Sequence, residues 1–350
     1  IIVLDFLENH WFIFNLFIAS FITTLLFSYL FRAYVSWINI SIAEPNYRSS
    51  HKDPTPTGGG LVIALVYVIS LMLSIHYLKS DSYSSIIYII FGGLITTLFG
   101  FYDDINDISA KAKMALQVFL AVWILYIFGR DIFDYFEPYL HSLIWPFILF
   151  TWFFLVWFSN AINFMDGIDG MLTSGVILIS LTASLLIIIT HGFNDNVLFL
   201  LLLIPVCIAF LIFNYPPASI FMGDSGSLFL GYILACLVIK TIVDGHLSFW
   251  TWSILFGHLF TEPTVTTMLR IKLSKNWYKP HRSNAYQNLA RILDDHKKVT
   301  MMAIILHIFW FLPLSLVSIY RNDIGFFIYL LAIFPVIGFT FKYGPLYSNK

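Results

Sequence analysis

Charged side chains are scarce in this chain of 350 residues, in which Asp, Glu, Lys and Arg together make up 11%. Soluble domains usually contain about 25% of these residues. Hydrophobic residues account for 59% of the chain, and the mean hydropathy is +0.82. This imbalance excludes an ordinary water-soluble domain and predicts a polytopic integral membrane protein of the all-α class.

Cysteine is also rare, since only Cys207 and Cys236 are present and both lie within apolar runs. Two such residues predict neither a disulfide framework nor a thiolate metal site. The net charge of −1 offers no bulk attraction to nucleic acid. Internal repeats, low-complexity segments and long linkers are missing as well, so we expect one domain over residues 1–350 without transporter-type repeats.

Long apolar runs dominate the rest of the chain. Because a spanning helix needs about 20 mostly apolar residues, we predict eleven transmembrane helices, with ten as the alternative. The first run lacks the basic segment and cleavage site of a signal peptide, and we expect it to be a retained span. The predicted spans are 10–31, 61–78, 84–101, 114–129, 142–159, 171–190, 196–213, 226–243, 248–269, 301–319 and 324–341.

The distribution of basic residues predicts the orientation, because cytoplasmic loops carry an excess of Lys and Arg. Of the 19 Lys and Arg residues, all but Lys79, Arg130, Lys240 and Arg321 fall in odd-numbered loops or the C-terminal tail. We therefore expect the N-terminus outside and the C-terminus in the cytoplasm. The cytoplasmic loops that we expect to form one site lie near 32–60, 102–113, 160–170, 214–225 and 270–300.

Acidic residues follow the third predicted span. Asp103 and Asp104 follow shortly after residue 101, where that span ends, and Asp107 lies one helical turn after Asp103, which would place Asp103 and Asp107 on one face. Charged groups are costly at the membrane centre, so we expect them at the interface. The alternative is a solvated loop in which Lys111 and Lys113 pair with these acids.

Two further polar islands interrupt the apolar runs. In one of them, four residues recur at a spacing of three: Asn160, Asn163, Asp166 and Asp169. This spacing predicts one polar helix face. In the other, Asp224 stands among glycines and serines, where it could also cap the eighth span. Oxygen ligands of this kind suit a hard divalent cation such as Mg²⁺.

A glycine-rich stretch lies in the first cytoplasmic loop. His51 precedes Pro54-Thr55-Pro56, and Gly58 and Gly59 stand directly before the second span. Such glycines allow backbone N–H groups to approach an anion, and the helix that follows adds its dipole. A flexible loop is the alternative interpretation.

Together, these motifs resemble those of the polyprenyl-phosphate N-acetylhexosamine-1-phosphate transferase superfamily, bacterial glycosyltransferase family 4, which includes enzymes that begin O-antigen and peptidoglycan lipid intermediates. The resemblance covers nearly the whole chain. It implies transfer of an N-acetylhexosamine-1-phosphate from a UDP-sugar to undecaprenyl phosphate, with release of UMP and a requirement for Mg²⁺, Mn²⁺ being the alternative ion. The resemblance rests on these motifs: Pro54-Thr55-Pro56 with the triple glycine, Asp103-Asp104 with Asp107, Asn163 to Gly170, Met222 to Ser227, and His281-Arg282-Ser283.

For the implied reaction we expect Asp224 and Asp104 to bind the metal. We expect Asp103, with Asp166 as second candidate, to remove a proton or position the lipid phosphate, and Asp169 is the remaining catalytic candidate. Expected substrate contacts come from side-chain or backbone donors of His51, Gly58, Gly59, Lys111, Lys113, Asn160, Asn163, His281, Arg282 and Asn284.

Three positions depart from the family's pattern: Asn284 stands where relatives often have a second His, Glu262 where many have Asp, and Thr57 where a basic residue is common. We expect Asn284 and Gln287 to contact the sugar, and the His-Arg-Ser motif resembles transferases that prefer 6-deoxy-N-acetylhexosamines. Glu262 lies within a predicted span, where an ionised group calls for a partner or a function. We expect that partner to be His258, unless Glu262 simply lies at the interface.

Two other classes of protein stay open at this point. A lipid-diphosphate hydrolase could use the same carboxylates, and a secondary transporter would place its acids near the bilayer midplane. We expect a multi-pass protein of the bacterial inner membrane, surrounded by membrane lipid, with its active site on the cytoplasmic face. The expected partners are a UDP-N-acetylhexosamine and undecaprenyl phosphate, with no nucleic acid; a homodimer and a covalent two-step mechanism are both left open.

Overall fold

Helices make up nearly all of the computed structural model, which describes residues 2–38, 40–43, 54–78, 83–106, 108–273 and 282–348. This confirms the all-α, polytopic expectation. Two-residue strands β1 (Ile42–Ala43) and β2 (Thr55–Pro56) pair antiparallel. The helices are α1 (Ile2–Ile38), α2 (Gly60–Leu78), α3 (Tyr83–Asn106), α4 (Ala110–Leu140), α5 (Ile144–Phe164), α6 (Met171–His191), α7 (Asp195–Asn214), α8 (Asp224–Val243), α9 (Phe249–Leu255), α10 (Gly257–Leu273), α11 (Ala285–Leu293), α12 (His296–Leu306), α13 (Leu312–Tyr320), α14 (Gly325–Tyr343) and α15 (Pro345–Ser348).

Nine helical runs in the described part of the chain are long and apolar enough to cross a membrane, compared with the eleven that we predicted. One run, 110–164, contains both the fourth and fifth predicted spans. Because α4 and α5 pack against each other, the chain must reverse between them, near His141 with its positive φ of 46°. The predicted span 248–269 is divided into α9 and α10, neither of which reaches the roughly 20 residues of a full crossing.

α8 is the central helix of the fold. Every residue from Ser225 to Ile242 is buried, and the helix contacts α2, α3, α4, α5 and α7. A helix that is apolar on all sides is typical of such an enclosed position. Asp224 is its first residue, so this carboxylate lies at the end of the bundle where the neighbouring α3 and α5 also end.

The C-terminal helices form a second group beside the first. α10 packs on α5 and α14, α11 on α12 and α14, and α12 on α6. A small apolar cluster that includes Ile254, Phe311 and Ala332 joins three elements. These are α9, α14 and the short π-helix His307–Phe311 that precedes α13. This arrangement brings the segment 282–296 to the end of the bundle at which α8 begins.

Glycines allow three backbones to meet at the start of α8. A Cβ added to Gly60 would lie 2.1 Å from the Cα of Gly226, and one added to Gly100 would lie 2.4 Å from the carbonyl oxygen of Asp224. Real Cβ atoms do not approach so closely, so α2 and α3 reach α8 only because these positions lack a side chain. Gly60 also donates its N–H to the carbonyl oxygen of Met222 at 2.8 Å.

We predict that Gly60→Ala forces α2 away from α8 and lowers the free energy of unfolding by about 1–3 kcal/mol, as overpacking does. The measurement is the thermal unfolding temperature of the purified protein in detergent. Gly129→Ala is the matched control, because Gly129 lies within α4 and an added Cβ there meets nothing within 4 Å. Equal unfolding temperatures for the two variants would contradict the packing argument.

Candidate active site

The carboxylate of Asp104 caps the first turn of α8. Its Oδ1 accepts the N–H of Asp224 at 2.8 Å, and its Oδ2 accepts the N–H of Ser225 at 3.1 Å. The first N–H groups of a helix have no partner within the helix, and a negative charge there is also favoured by the helix dipole. Gly223 makes room for the cap, because it has a φ of 73° and a Cβ there would lie 2.5 Å from both Asp104 oxygens.

Lys113 joins two carboxylates that are distant in sequence. Its Nζ lies 2.5 Å from Oδ2 of Asp103 and 2.8 Å from Oδ2 of Asp224. The other oxygen of Asp103 accepts the N–H of Ile108 at 2.6 Å. Thus both oxygens of Asp103 are bonded within the protein.

Asn163 approaches Asp224 from the end of α5. Its Nδ2 donates to Oδ1 of Asp224 at 3.0 Å and to Oγ of Ser227 at 2.8 Å. Both Asp224 oxygens are therefore oriented by neighbours, one by Asn163 and the other by Lys113. The predicted proximity of Asp103, Asp104, Asn163 and Asp224 is present in the structure.

Asp166 lies in the turn between α5 and α6 and lines a cavity of about 340 Å³ at this end of the bundle. Burial and the negative charges of Asp224, Asp104 and Asp169 raise the pKa of its carboxyl well above the usual range. The cavity is lined by Thr57, Asp104, Asn163, Asp166, Gly167, Ile168, Asp169, Asn214, Phe221, Met222, Gly223, Asp224, Arg282, Gln287 and His296. Asp103, our first candidate for the base, is not among them, so the geometry favours Asp166 for that task.

Asp169, the remaining catalytic candidate, lines the cavity and also bonds to two other segments of the chain. Its Oδ2 accepts the N–H of Ala218 at 2.9 Å, and its Oδ1 lies 3.2 Å from Nδ1 of His296. The side chain is buried, and its backbone carbonyl accepts the hydroxyl of Thr300 at 2.9 Å. These contacts connect the α5–α6 turn to the α7–α8 loop and to α12.

The expectation that Gly58 and Gly59 bind an anion does not match the geometry. Neither residue lines the cavity, and the N–H of Gly59 is donated to the carbonyl oxygen of Phe221 at 3.0 Å. A Cβ on Gly59 would lie 2.7 Å from the ring of Phe210. The triple glycine therefore provides close packing on the first turn of α8 and on the segment before it, and the neighbouring Thr57 lines the cavity.

Three other expected substrate contacts lie away from the cavity. Asn160 donates its Nδ2 to Oε1 of Gln117 at 2.5 Å, and Lys111 is exposed. Asn284 is 3% exposed, with its Nδ2 3.4 Å from the carbonyl oxygen of Phe164. Asn284 is therefore buried beside the end of α5 and does not line the cavity, so its contact with a sugar stays a prediction.

Two cavity residues were not among the main site residues expected from the sequence. Gln287 was expected only as a sugar contact beside Asn284, and His296 was not expected at all. Oε1 of Gln287 is buried without a hydrogen-bond partner among the described residues. His296 pairs with Asp169 across 127 positions of sequence, a separation at which spacing carries no information. His51, Asp107 and His281, which we also named, lie outside the described residues.

The donor set suits Mg²⁺ bound together with a phosphate. No group of three His, Cys, Asp or Glu side chains within the described ranges encloses a metal position. Mg²⁺ bound with phosphate substrates is usually held by one or two carboxylates, with phosphate oxygens and water completing the octahedron. Asp104, Asp166 and Asp224 all line the cavity, and this set includes the expected pair Asp104 and Asp224. The oxygens of Asp104 also accept N–H groups of α8, and those of Asp224 also accept bonds from Asn163 and Lys113.

Comparison with known proteins identifies related sequences. A family model described as glycosyl transferase family 4 matches residues 86–242, the segment that contains the acidic residues of the site. Phospho-N-acetylmuramoyl-pentapeptide-transferase from Streptococcus pneumoniae is 35% identical over 237 residues, 64% of this chain and 69% of that protein. The proteins of the same name from Streptococcus mutans and Lacticaseibacillus paracasei are each 32% identical, over 70% and 73% of this chain and 74% and 81% of their own lengths.

We predict that Mg²⁺ raises the thermal unfolding temperature of the protein and that Asp224→Asn weakens this effect, because a neutral amide is a poorer ligand for a hard cation. The measurement is a titration with Mg²⁺ in the presence of UMP, followed by thermal unfolding in detergent. Asp134→Asn is the control, since Asp134 is an exposed carboxylate in α4 that pairs only with Arg130 among the described residues. An unchanged Mg²⁺ response in Asp224→Asn would remove this residue from the metal site.

Proposed function

This chain belongs to glycosyl transferase family 4, within the polyprenyl-phosphate sugar-phosphate transferase superfamily, and from that premise we propose that it transfers N-acetylhexosamine-1-phosphate from a UDP-sugar to undecaprenyl phosphate. The products are a lipid-linked diphosphosugar and UMP. We further propose that Mg²⁺ is required, and that the product begins a cell-envelope polysaccharide such as O-antigen.

One observation carries this proposal: Asp104, Asp166 and Asp224 meet with Lys113 and Arg282 at one end of a membrane bundle. Both substrates are phosphates, so the site must neutralise a diphosphate and let a second anion approach it. A divalent cation on the acids and the basic side chains beside them perform these two tasks. An apolar bundle around such a site would also accommodate a lipid acceptor.

The proposed reaction is a single displacement. An oxygen of the lipid phosphate attacks the sugar-bearing phosphorus of the donor, a new P–O bond forms, and the bond from that phosphorus to the bridging oxygen breaks as UMP leaves. Mg²⁺, when bound, supplies charge neutralisation on the diphosphate. Asp166 accepts the proton of a lipid phosphate that arrives as the monoanion, and its raised pKa makes it a better base for this purpose than an ordinary Asp.

We assign the UDP-sugar to the end of the cavity that residues 282–287 line, just before α11 and in its first turn. Arg282 and Gln287 both line the cavity. A guanidinium presents a planar fork that matches phosphate oxygens, so we assign Arg282 to the diphosphate. Gln287, whose Oε1 is buried and lacks a described partner, is assigned to the N–H of the acetamido group in place of Asn284.

UDP-N-acetylmuramoyl-pentapeptide is a second candidate donor, because the curated relatives are named phospho-N-acetylmuramoyl-pentapeptide-transferase. Both donors present a diphosphate and an N-acetylated sugar, so the residues named above serve either one. We place the site on the cytoplasmic side of the bacterial inner membrane, where UDP-sugars are available. The asymmetry of basic residues supports this orientation.

We predict that purified protein releases UMP from a UDP-sugar only when undecaprenyl phosphate and Mg²⁺ are both present, and that EDTA abolishes this release. The donors to compare are UDP-N-acetylglucosamine, UDP-N-acetylgalactosamine, their 6-deoxy analogues and UDP-N-acetylmuramoyl-pentapeptide, and mass spectrometry of the lipid product identifies the group transferred. Turnover in EDTA would refute the metal requirement. Release of UMP or phosphate without the lipid would indicate a hydrolase, and no release with any donor would refute the transferase.

We predict that Asp166→Asn lowers turnover by about 10²–10⁴-fold, the range for loss of a general base. In the wild-type protein the rate should fall as the pH is lowered through the raised pKa of Asp166, because the protonated carboxyl cannot accept a proton. The measurement is the pH dependence of kcat/KM. Asp169→Asn is the control, which should lower thermal stability yet keep the acid limb of the profile. If Asp166→Asn retains that limb, another group is the base.

A further inference from the structure

Glu262 connects α10 to the start of α11. The side chain is 2% exposed, and its Oε1 accepts the N–H of Ala285 at 2.5 Å and the hydroxyl of Thr266 at 3.0 Å. Ala285 is the first residue of α11, whose own N-terminal residue Asn284 makes no side-chain cap. A carboxylate from another helix therefore satisfies an N–H group that would otherwise be unpaired at this helix end. His258, the partner that we expected, is not in this set of bonds.

Burying this carboxylate costs free energy, and packing by itself does not compensate for that cost. Its Oε2 is buried and has no hydrogen-bond partner among the described residues, and an apolar side chain of similar volume would avoid the loss of hydration. The contribution of Glu262 must therefore lie in what Oε1 holds. Oε1 holds the N-terminus of α11, where the first N–H groups have no partner within the helix.

The position of α11 decides the position of the donor residues. Arg282 lies three residues before Ala285, and Gln287 lies two residues after it; both line the cavity. The helix rests directly on the catalytic turn, because a Cβ added to Gly167 would lie 2.2 Å from the Tyr286 hydroxyl and from Nε2 of Gln287. With so little clearance, a small displacement of α11 changes the distance between Gln287 and the neighbouring Asp166.

We propose that Glu262 is a positioning residue of the donor subsite: by capping α11 from α10, it sets where Arg282 and Gln287 stand relative to Asp166. This inference rests on the proposed function for the identity of the donor. The cap itself is a structural connection that can be tested without any substrate.

The first test measures the cap without turnover. Amide hydrogen exchange of the full-length protein in detergent should show faster exchange over residues 284–289 in Glu262→Ala. Glu262→Gln, which keeps an oxygen acceptor at the same place, should remain close to wild type. Thr264→Val is the matched control on the same helix, since its hydroxyl bonds to Nε1 of Trp157 and to the carbonyl oxygen of Phe260, and neither residue belongs to α11. Unchanged exchange in Glu262→Ala would overturn the inference.

The second test measures the effect on the donor. With UDP-N-acetylglucosamine and undecaprenyl phosphate, Glu262→Ala should raise the KM of the UDP-sugar roughly tenfold while kcat and the KM of the lipid change much less, as loss of uniform binding does. Glu262→Gln should rescue the donor KM. A variant that lowers only the amount of folded protein would not separate the two KM values. Equal damage from Glu262→Gln and Glu262→Ala, or a parallel rise of both KM values, would overturn the positioning role.

A third test removes the N–H group that donates this hydrogen bond to Glu262. Ala285→Pro deletes the N–H at the first helical position, where proline is tolerated, and Asn284 already has the extended conformation (φ −62°, ψ 141°) that proline requires before it. Adding Glu262→Ala to Ala285→Pro should have little further effect on the donor KM, whereas independent contributions would add. If no UDP-sugar turns over in the wild-type protein, the proposed function fails, and the exchange experiment still decides whether Glu262 holds α11.

Discussion

The bond between the Asp104 carboxylate and the first two N–H groups of α8 is the interaction on which the site depends. α8 is enclosed by five helices and is buried from Ser225 onward, so its first N–H groups need a partner from the protein. Asp104 supplies both acceptors. The same bond holds α3 to α8, and it thereby sets the distance between Asp103, Asp104 and Asp224.

A concentration of negative charge follows from this arrangement. Asp103, Asp104, Asp166 and Asp224 lie together, and Lys113 is the cation that bridges Asp103 and Asp224. Lys113 and the cavity residue Arg282 are fewer than these four carboxylates, and burial together with the mutual repulsion raises the pKa of Asp166. A bound divalent cation would relieve it. This electrostatic argument agrees with the Mg²⁺ that we propose for the reaction.

Not every buried carboxylate in this structure performs chemistry. Asp169 holds three segments together through Ala218, His296 and its backbone contact with Thr300, and Glu262 holds the start of α11. Both are acceptors for backbone N–H groups of another segment. Asp166 and Asp169 both line the cavity, and we propose the reacting role for Asp166 alone. Residue type alone does not reveal which buried carboxylates hold segments of the chain together, because their partners are set by how the helices pack.

The sequence by itself determined the class of the protein, the approximate position of its helices and the set of acidic residues at their ends. These properties depend on local composition and on the length of apolar runs, and both can be judged from a stretch of about 20 residues. It also predicted that residues near 103, 163, 166 and 224 would meet, since they end or begin helices on one predicted side of the membrane. Only the tertiary structure decided which of them reach the cavity. The roles of Gly59, Asn284, Asp169 and Glu262 depend on partners that lie 23 to 162 positions away, and such partners are set by how the helices pack.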